Sequence, residues 1–428
     1  MKVNAGGVFN SLVSMETQVR QVLNSRGVAL LQYPFYLAFG RGLWTLQRRG
    51  VAGEALVVEC ALQVTTWVAR GLDGTILNAV HIEVFNVPAP AGPSALRRLY
   101  VPNSGDGTVS IIDVASDTVV ATIPVGNAPM RVAVNPITGR VYVINGADET
   151  VTVLDAAGSV VATVATGAEP YGIVVNPVTN KVYVANSAEQ SITVIDGVTN
   201  VATTIPTLGA YPFDLAVNTV TNKVYAADWY NSNVIVIDGA TGTLIKLLDM
   251  GEGSWPLAVA VNEDTNTIYV TDGGNDKVVA IDGATDTFTE FIDAGDEAWS
   301  IVVNPATARV YSGNQGDNSV TVINTLTNLP VATVPTGRAP EVLILKASTN
   351  KLFSVNWFDG NTTVIDGATN TVDATVLCGA WPVSALFDAI SDKVYVVNRD
   401  DGTVTVFSGT TNVVLTTIAV GETPEAIA

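Results

Sequence analysis

The sequence predicts a mainly β protein, an eight-bladed β-propeller of four-stranded antiparallel blades behind a small N-terminal domain. Three observations carry this. A tetrad of the form Tyr-Val-x-Asn recurs at YVPN (100–103), YVIN (142–145), YVAN (183–186), YAAD (225–228), YVTD (269–272), YSGN (311–314), FSVN (353–356) and YVVN (395–398). Successive tetrads begin 42, 41, 42, 44, 42, 42 and 42 residues apart, a period typical of repeat architectures. Other landmarks keep step with them: a second run such as VSIID (109–113) or ITVID (192–196), a third such as VVATIPVG (119–126), and a Gly-x-x-Pro turn into a fourth, as before YGIVVNP (171–177).

Each run is short and rich in Val, Ile, Thr and Tyr, which suit a pleated surface. Between runs stand Asn-Pro, Thr-Asn, Asp-Gly and Gly-x-x-Pro. Gly and Asn tolerate positive φ and Pro presets φ, so these are turns. Four short antiparallel strands per repeat make one propeller blade.

Through the tetrads, the V-x-V-I-D runs and the G-x-x-P-x-x-V-x-V-N-P turns, residues 97–428 resemble the YVTN β-propeller repeat family. The resemblance implies a fold more than a function, because surface-layer proteins, binding modules and a few enzymes share it. It also implies a cell-surface or extracellular setting, although the sequence shows no secretory leader and so reads as cytoplasmic by default.

The repeat also bears on the last residues, GETPEAIA (421–428), which begin a unit without finishing it. Seven complete blades span about 129–420, leaving three strands in front (97–126) and one inner strand, PEAIA, behind. Pairing them makes an eighth blade that latches the ring and covers strand edges that would otherwise invite aggregation. In a rival reading HIEVFNV (81–87) supplies that inner strand and PEAIA is free to add to a neighbouring subunit's sheet; a seven-bladed ring is the alternative count.

Residues 1–87 lack the period, and a Pro-rich linker, 88–96, follows them. LVSMETQVRQVLN (12–24) and EALVVECALQVTTWVARG (54–71) carry apolar residues at helical spacing, with Gly71 as a stop. Asp73 would cap a further helix, although Val80, Ile82 and Val84 also alternate as in a strand. The expectation is a mostly helical assembly or adapter domain. VALLQYPFYLAFG (28–40) is too short to span a bilayer and is broken by Pro34. Tyr33, Phe35, Tyr36, Phe39 and Trp44 are a heavy aromatic load for so small a domain, and burial against other copies would relieve it.

The formal charge is −19, unevenly spread. Residues 1–96 hold seven basic and five acidic side chains, and the remaining 14 basic and 35 acidic ones put the ring near −21. So acidic a ring repels nucleic acid. Cys60 and Cys378 are the two cysteines, and without a CxxC pair they support no zinc site. The single histidine, His81, lies outside the ring, so histidine-dependent acid–base or haem chemistry has no ligand there. No nucleophile elbow, phosphate loop or dinucleotide fingerprint occurs. No catalytic residue, metal ligand or cofactor is assigned. NSGDGT (103–108), TDGGND (271–276) and NRDDGT (398–403) offer oxygens that would suit Ca²⁺, but they also read as plain hairpin turns.

The positive signal is aromatic. Trp255, Trp381, Trp299, Tyr211 and Tyr171 lie in or just after the turn from an outer strand to the next inner strand. Trp229, Tyr230 and Trp357 follow a tetrad. In an up-and-down blade both connections emerge on one face, so these rings form a candidate recognition surface for a protein or glycan. Two functional classes follow: a non-catalytic structural or binding protein that self-assembles through its N-terminal domain, or a metal-dependent, carboxylate-based hydrolase or lyase of the lactonase type.

Overall fold

The computed structural model describes residues 97–428 continuously and, before them, the strands Lys2–Val3, Gly42–Leu46, Cys60–Arg70 and Ile76–Asn86. The chain divides into two compact units, 1–95 and 96–428.

The second unit is an eight-bladed propeller. Blade II sets the pattern with an inner strand Pro129–Val134, a tetrad strand Val141–Asn145, a third strand Thr150–Leu154 and an outer strand Val160–Ala165, all antiparallel in that order. Blades III to VIII repeat it over 170–206, 212–249, 256–293, 298–335, 340–377 and 382–419. Blade I holds three strands at 98–124 and receives its inner strand from the C-terminal residues. Tyr100 N donates to Ala428 O at 2.9 Å and Ala428 N to Tyr100 O at 3.2 Å, while Glu425 N donates to Pro102 O at 3.0 Å. The ring therefore closes on itself. HIEVFNV does not supply that strand: Ile76–Asn86 pairs with Cys60–Arg70 and with Lys2–Val3 in the first unit.

The tetrad is explained by what its residues touch. Its Tyr or Phe is almost wholly buried in every blade. Several of the phenols reach the next blade: Tyr183 Oη donates to Gly239 O at 3.0 Å, and Tyr225 Oη to Asp286 Oδ1 at 2.8 Å. Burial pushes the Tyr183 and Tyr269 phenols up to about 12.

The fourth tetrad residue is a buried organiser. Asn145 Nδ2 donates to Thr150 Oγ1 at 3.0 Å and Thr152 Oγ1 at 2.9 Å, and its Oδ1 accepts from Gly126 N at 3.1 Å. Asp228 and Asp272 accept from Tyr211 N and Trp255 N in the same way. The turn glycine is needed because a Cβ on Gly126 would lie 2.6 Å from Asn145.

Packing runs blade to blade. Tyr183, Ala185, Ile192 and Val194 of blade III form one buried cluster with Leu215, Val224, Ala226, Ile235 and Ile237 of blade IV. The seam is built alike: Leu99, Val101 and Ile112 of blade I bury against Tyr395, Val397 and Val404 of blade VIII, with Ile427 among them. On the face opposite the Gly-x-x-Pro turns, asparagines link successive blades, Asn135 to Asn180 at 2.6 Å and Asn176 to Asn222 at 2.8 Å.

In the first unit the described strands replace the helices expected around 60–70 and 76–86. Cys60–Arg70 and Ile76–Asn86 form an antiparallel hairpin in register from Cys60–Asn86 to Arg70–Ile76, with Gly42–Leu46 paired to the other edge of the first. The reason is local. Val64, Thr65, Thr66 and Val68 are β-branched, stiff at χ1 and better accommodated in a strand, and the Val80–Ile82–Val84 alternation takes precedence over a cap at Asp73. The proposed helix at 12–24, and Tyr33, Phe35, Tyr36 and Phe39, lie outside the described residues. Trp44 falls in Gly42–Leu46, opposite Leu62.

Candidate functional site

The two connections expected to share a face do so, and hydrogen bonds hold them together. Asp148, in the turn after a tetrad, accepts from Asn127 N at 2.7 Å, in the turn before the inner strand of the same blade. Asp317, Asp359 and Asp401 accept from Asp296 N, Arg338 N and Ala380 N at 2.7–2.8 Å. These bonds hold the Asp148 and Asp359 carboxyls below their ordinary range, with the backbone donor the larger cause in each. They also occupy acids of the three oxygen-rich loops. Asp106 accepts from Glu422 N at 2.7 Å, and Asp276 from Glu297 N at 3.1 Å. Among the described residues no three His, Cys, Asp or Glu side chains gather into a metal-holding group.

The aromatic residues occupy this face in separate groups. Tyr211 packs on Tyr230 at 4.8 Å between ring centroids, and Trp229 meets Tyr230 edge-on at 5.8 Å. Trp357 stacks on Phe358 at 4.9 Å and meets Trp381 edge-on at 5.0 Å. Trp255 stands exposed in the turn before blade V. Phe358 belongs with these rings, although reading the tryptophans and tyrosines alone passes over it.

Tyr171 and Trp299 belong elsewhere, among the inner strands that surround the axis. Tyr171 stacks on Phe213 of the next blade at 4.1 Å. Its hydroxyl accepts from Arg131 Nη2 at 2.7 Å, with the guanidinium carbon 4.7 Å from the ring centroid. Across the ring, Glu341 accepts from Gln315 Nε2 at 2.6 Å, and the Trp299 side chain reaches the same carboxylate. Asp214 Oδ2 accepts from Val259 N at 2.9 Å.

This throat is a polar group that sequence reasoning missed. Burial raises both carboxyls, Asp214 to about 6, while the positive charge of Arg131 opposes the rise in each. The available signal was alignment of the inner strands at their second and third positions. There, Arg131, Asp214 and Glu341 interrupt a set that is otherwise mostly apolar or small. Cys378, at the end of an outer strand, is a free thiol that burial pushes up to about 11.

A family model described as YNCE-like β-propeller matches residues 132–296. A 55-residue stretch is 44% identical to the PE-PGRS family protein PE_PGRS18 of Mycobacterium tuberculosis (strain ATCC 25618 / H37Rv). That match spans 13% of this chain and 12% of the relative. Among solved structures, dihydro-heme d1 dehydrogenase NirN in complex with DHE is similar with a TM-score of 0.67 and 15% identity, over 78% of this chain and 75% of that one. Citrobacter koseri AztD gives a TM-score of 0.59 and 13% identity, over 77% and 96%. Kuenenia stuttgartiensis hydrazine synthase gives 0.53 and 22%, over 63% and 92%. At such identities the likeness is one of fold. Among the described residues no helix is long and apolar enough to cross a membrane.

Proposed function

We propose that this chain is a non-catalytic binding protein whose propeller presents the turn face for recognition. The observation that carries the reading is the exposure of Trp229, Tyr230, Trp255, Phe358 and Trp381 on that one face. Large aromatics left in water are costly unless something covers them, and they anchor interfaces with few rotamers to freeze. The activities named for the structural neighbours are not carried over. Haem chemistry in particular calls for an axial ligand, and the ring holds no histidine.

The test is a variant with Trp229, Trp255 and Trp381 all changed to alanine. Its melting temperature should stay within a few degrees of the parent, because exposed turn residues contribute little to stability. Its tryptophan-fluorescence response to a panel of oligosaccharides and peptides should be lost. A variant that unfolds instead would mark these rings as a plug over the channel.

The N-terminal unit is proposed as the assembly element, through Tyr33, Phe35, Tyr36, Phe39 and Trp44. Full-length protein at micromolar concentration should run as an oligomer in mass photometry, and removal of residues 1–90 should leave a monomer. Moderate salt should leave the oligomer intact, because an apolar contact survives charge screening. A monodisperse full-length monomer would overturn this.

A further inference from the structure

We propose that Trp357, Phe358 and Trp381 form a corner that binds one sugar unit of a neutral oligosaccharide, a proposal that rests on reading the turn face as a recognition surface. Backbone conformation supplies the first argument. In six turns the residue just before the inner strand is left-handed: Ala128, Glu169, Glu297, Ala339, Trp381 and Thr423, with φ between 49 and 53°. That conformation is costly for any residue with a Cβ, and more so for a bulky one. Blade VIII alone among these places an indole there.

The turn itself makes no use of the indole. Trp381 O accepts from Arg399 N at 2.9 Å, just as Ala339 O accepts from Trp357 N at 2.9 Å and Ala128 O from Gly146 N at 2.9 Å. The backbone is therefore satisfied identically with alanine or tryptophan. A strained, bulky side chain kept where a small one suffices points to a use for the side chain.

Its placement indicates the use. Trp357 and Phe358 lie nearly parallel, at 22°, and Trp381 stands against them at 78° and 85°. The stacked pair and Trp381 make two walls of a corner. Phe358 is 54% and Trp381 39% exposed, so both walls keep open area.

The rim decides the chemistry of the occupant. Beside Phe358, Asp359 pairs with Arg338, Nε to Oδ1 at 2.6 Å. Beside Trp381, its backbone partner Arg399 pairs with Glu425, Nε to Oε1 at 3.1 Å. Asp401 also lies on the second flank, accepting from Ala380 N at 2.7 Å, so each flank offers one guanidinium together with carboxylates. A charged ligand would meet a like charge on either side. A sugar would not: its hydroxyls donate to carboxylates and accept from guanidinium groups, while its C–H face lies on an aromatic ring.

The experiment uses the full chain, with tryptophan fluorescence and calorimetry. Neutral gluco-, manno- and xylo-oligosaccharides are compared with sulfated oligosaccharides, chitosan oligomers and a basic peptide. At least one neutral oligosaccharide should bind in the millimolar range or tighter. Trp381→Gly should weaken that binding about tenfold or more, as loss of a central anchor does. Its melting temperature should equal or exceed the parent's, because glycine accepts the left-handed backbone without strain. Ile390→Ala, exposed in a connection on the opposite face, should bind as the parent does. Absence of neutral-sugar binding overturns the proposal, and so does a Trp381→Gly variant that melts several degrees lower. If the peptide or a charged oligomer binds in a Trp381-dependent way instead, the saccharide assignment falls while the recognition face stands. If nothing binds and removing the rings costs stability, both fall.

Discussion

Deleting residues 422–428 should lower the melting temperature by more than about 10 °C and broaden the transition, a loss on the order of 5 kcal/mol or more. The cost has several identifiable parts. The backbone bonds to Tyr100 and Pro102 disappear, as do those from Ser104 N to Thr423 O and from Gly105 N to Glu422 O. Each such bond contributes about 1 kcal/mol net. Ile427 leaves a buried cluster shared by blades I and VIII, and burial of such a side chain contributes roughly 1.5–3 kcal/mol. The tetrad strand Arg98–Asn103 then becomes a bare edge next to the channel, open to pairing with another chain.

The rest of the seam does not compensate. Arg97 still pairs with Asp388, and Lys393 and Tyr395 still reach Asp117. These contacts lie at the start of the tetrad strand and in the turn after the third strand, away from the missing inner strand. The milder Ile427→Ser variant should lose a smaller part of the stability without baring the edge. Differential scanning calorimetry of the three proteins gives the answer. A truncated ring that melts within about 2 °C of the parent would mean that the C-terminal strand does not latch it.

The latch was legible in the sequence because a repeat fixes what is missing as well as what is present. Eight tetrads with seven complete units left one inner strand without a blade and three strands without an inner strand. The chemistry of each tetrad position was not legible in the same way. That Asn145 orders Thr150 and Thr152 and holds Gly126 emerges only when three strands lie side by side.

The aromatic face was legible as a loop class, since chain direction alone assigns loops to faces. Its division into groups was not, because Trp357 and Trp381 belong to different blades. The throat escaped for a related reason. Arg131 and Asp214 each occur once at their strand position and Glu341 is matched only by Glu425, and periodic reading passes over what most repeats lack. In the first unit, helical spacing over 54–71 competed with β-branched content, and pairing with the neighbouring strand decided for β.

Replacing Asp214 with asparagine should stabilise the ring at neutral pH and do nothing at low pH. Burial holds the Asp214 carboxyl up to about 6, against an ordinary value of 3.8, and the hydrogen bonds from Val259 and Leu215 and the charge of Arg131 only partly oppose this. Below pH 3.8 the group is protonated whether the chain is folded or not, and it exerts no pH effect. Between pH 3.8 and about 6 the unfolded chain gives up the proton and the folded one keeps it, so stability falls as pH rises. Above about 6 the folded protein carries a half-buried charge at a constant cost of at most about 3 kcal/mol.

Asparagine cannot ionise, yet its Oδ1 can still accept from Val259 N–H. The variant should therefore gain roughly 1–3 kcal/mol at pH 7.5, with the gain vanishing near pH 3.5. Glu341, raised for the same reason, contributes in the same direction, so Glu341→Gln in addition should flatten the profile further. Arg131, whose charge favours both ionised carboxyls, must stay in place for the comparison to read burial alone. Thermal melts of parent and variants across this pH range make the measurement. Parallel profiles would show that Asp214 meets water freely and pays no penalty for its charge. Diverging ones would show that the throat keeps carboxylates at the expense of stability.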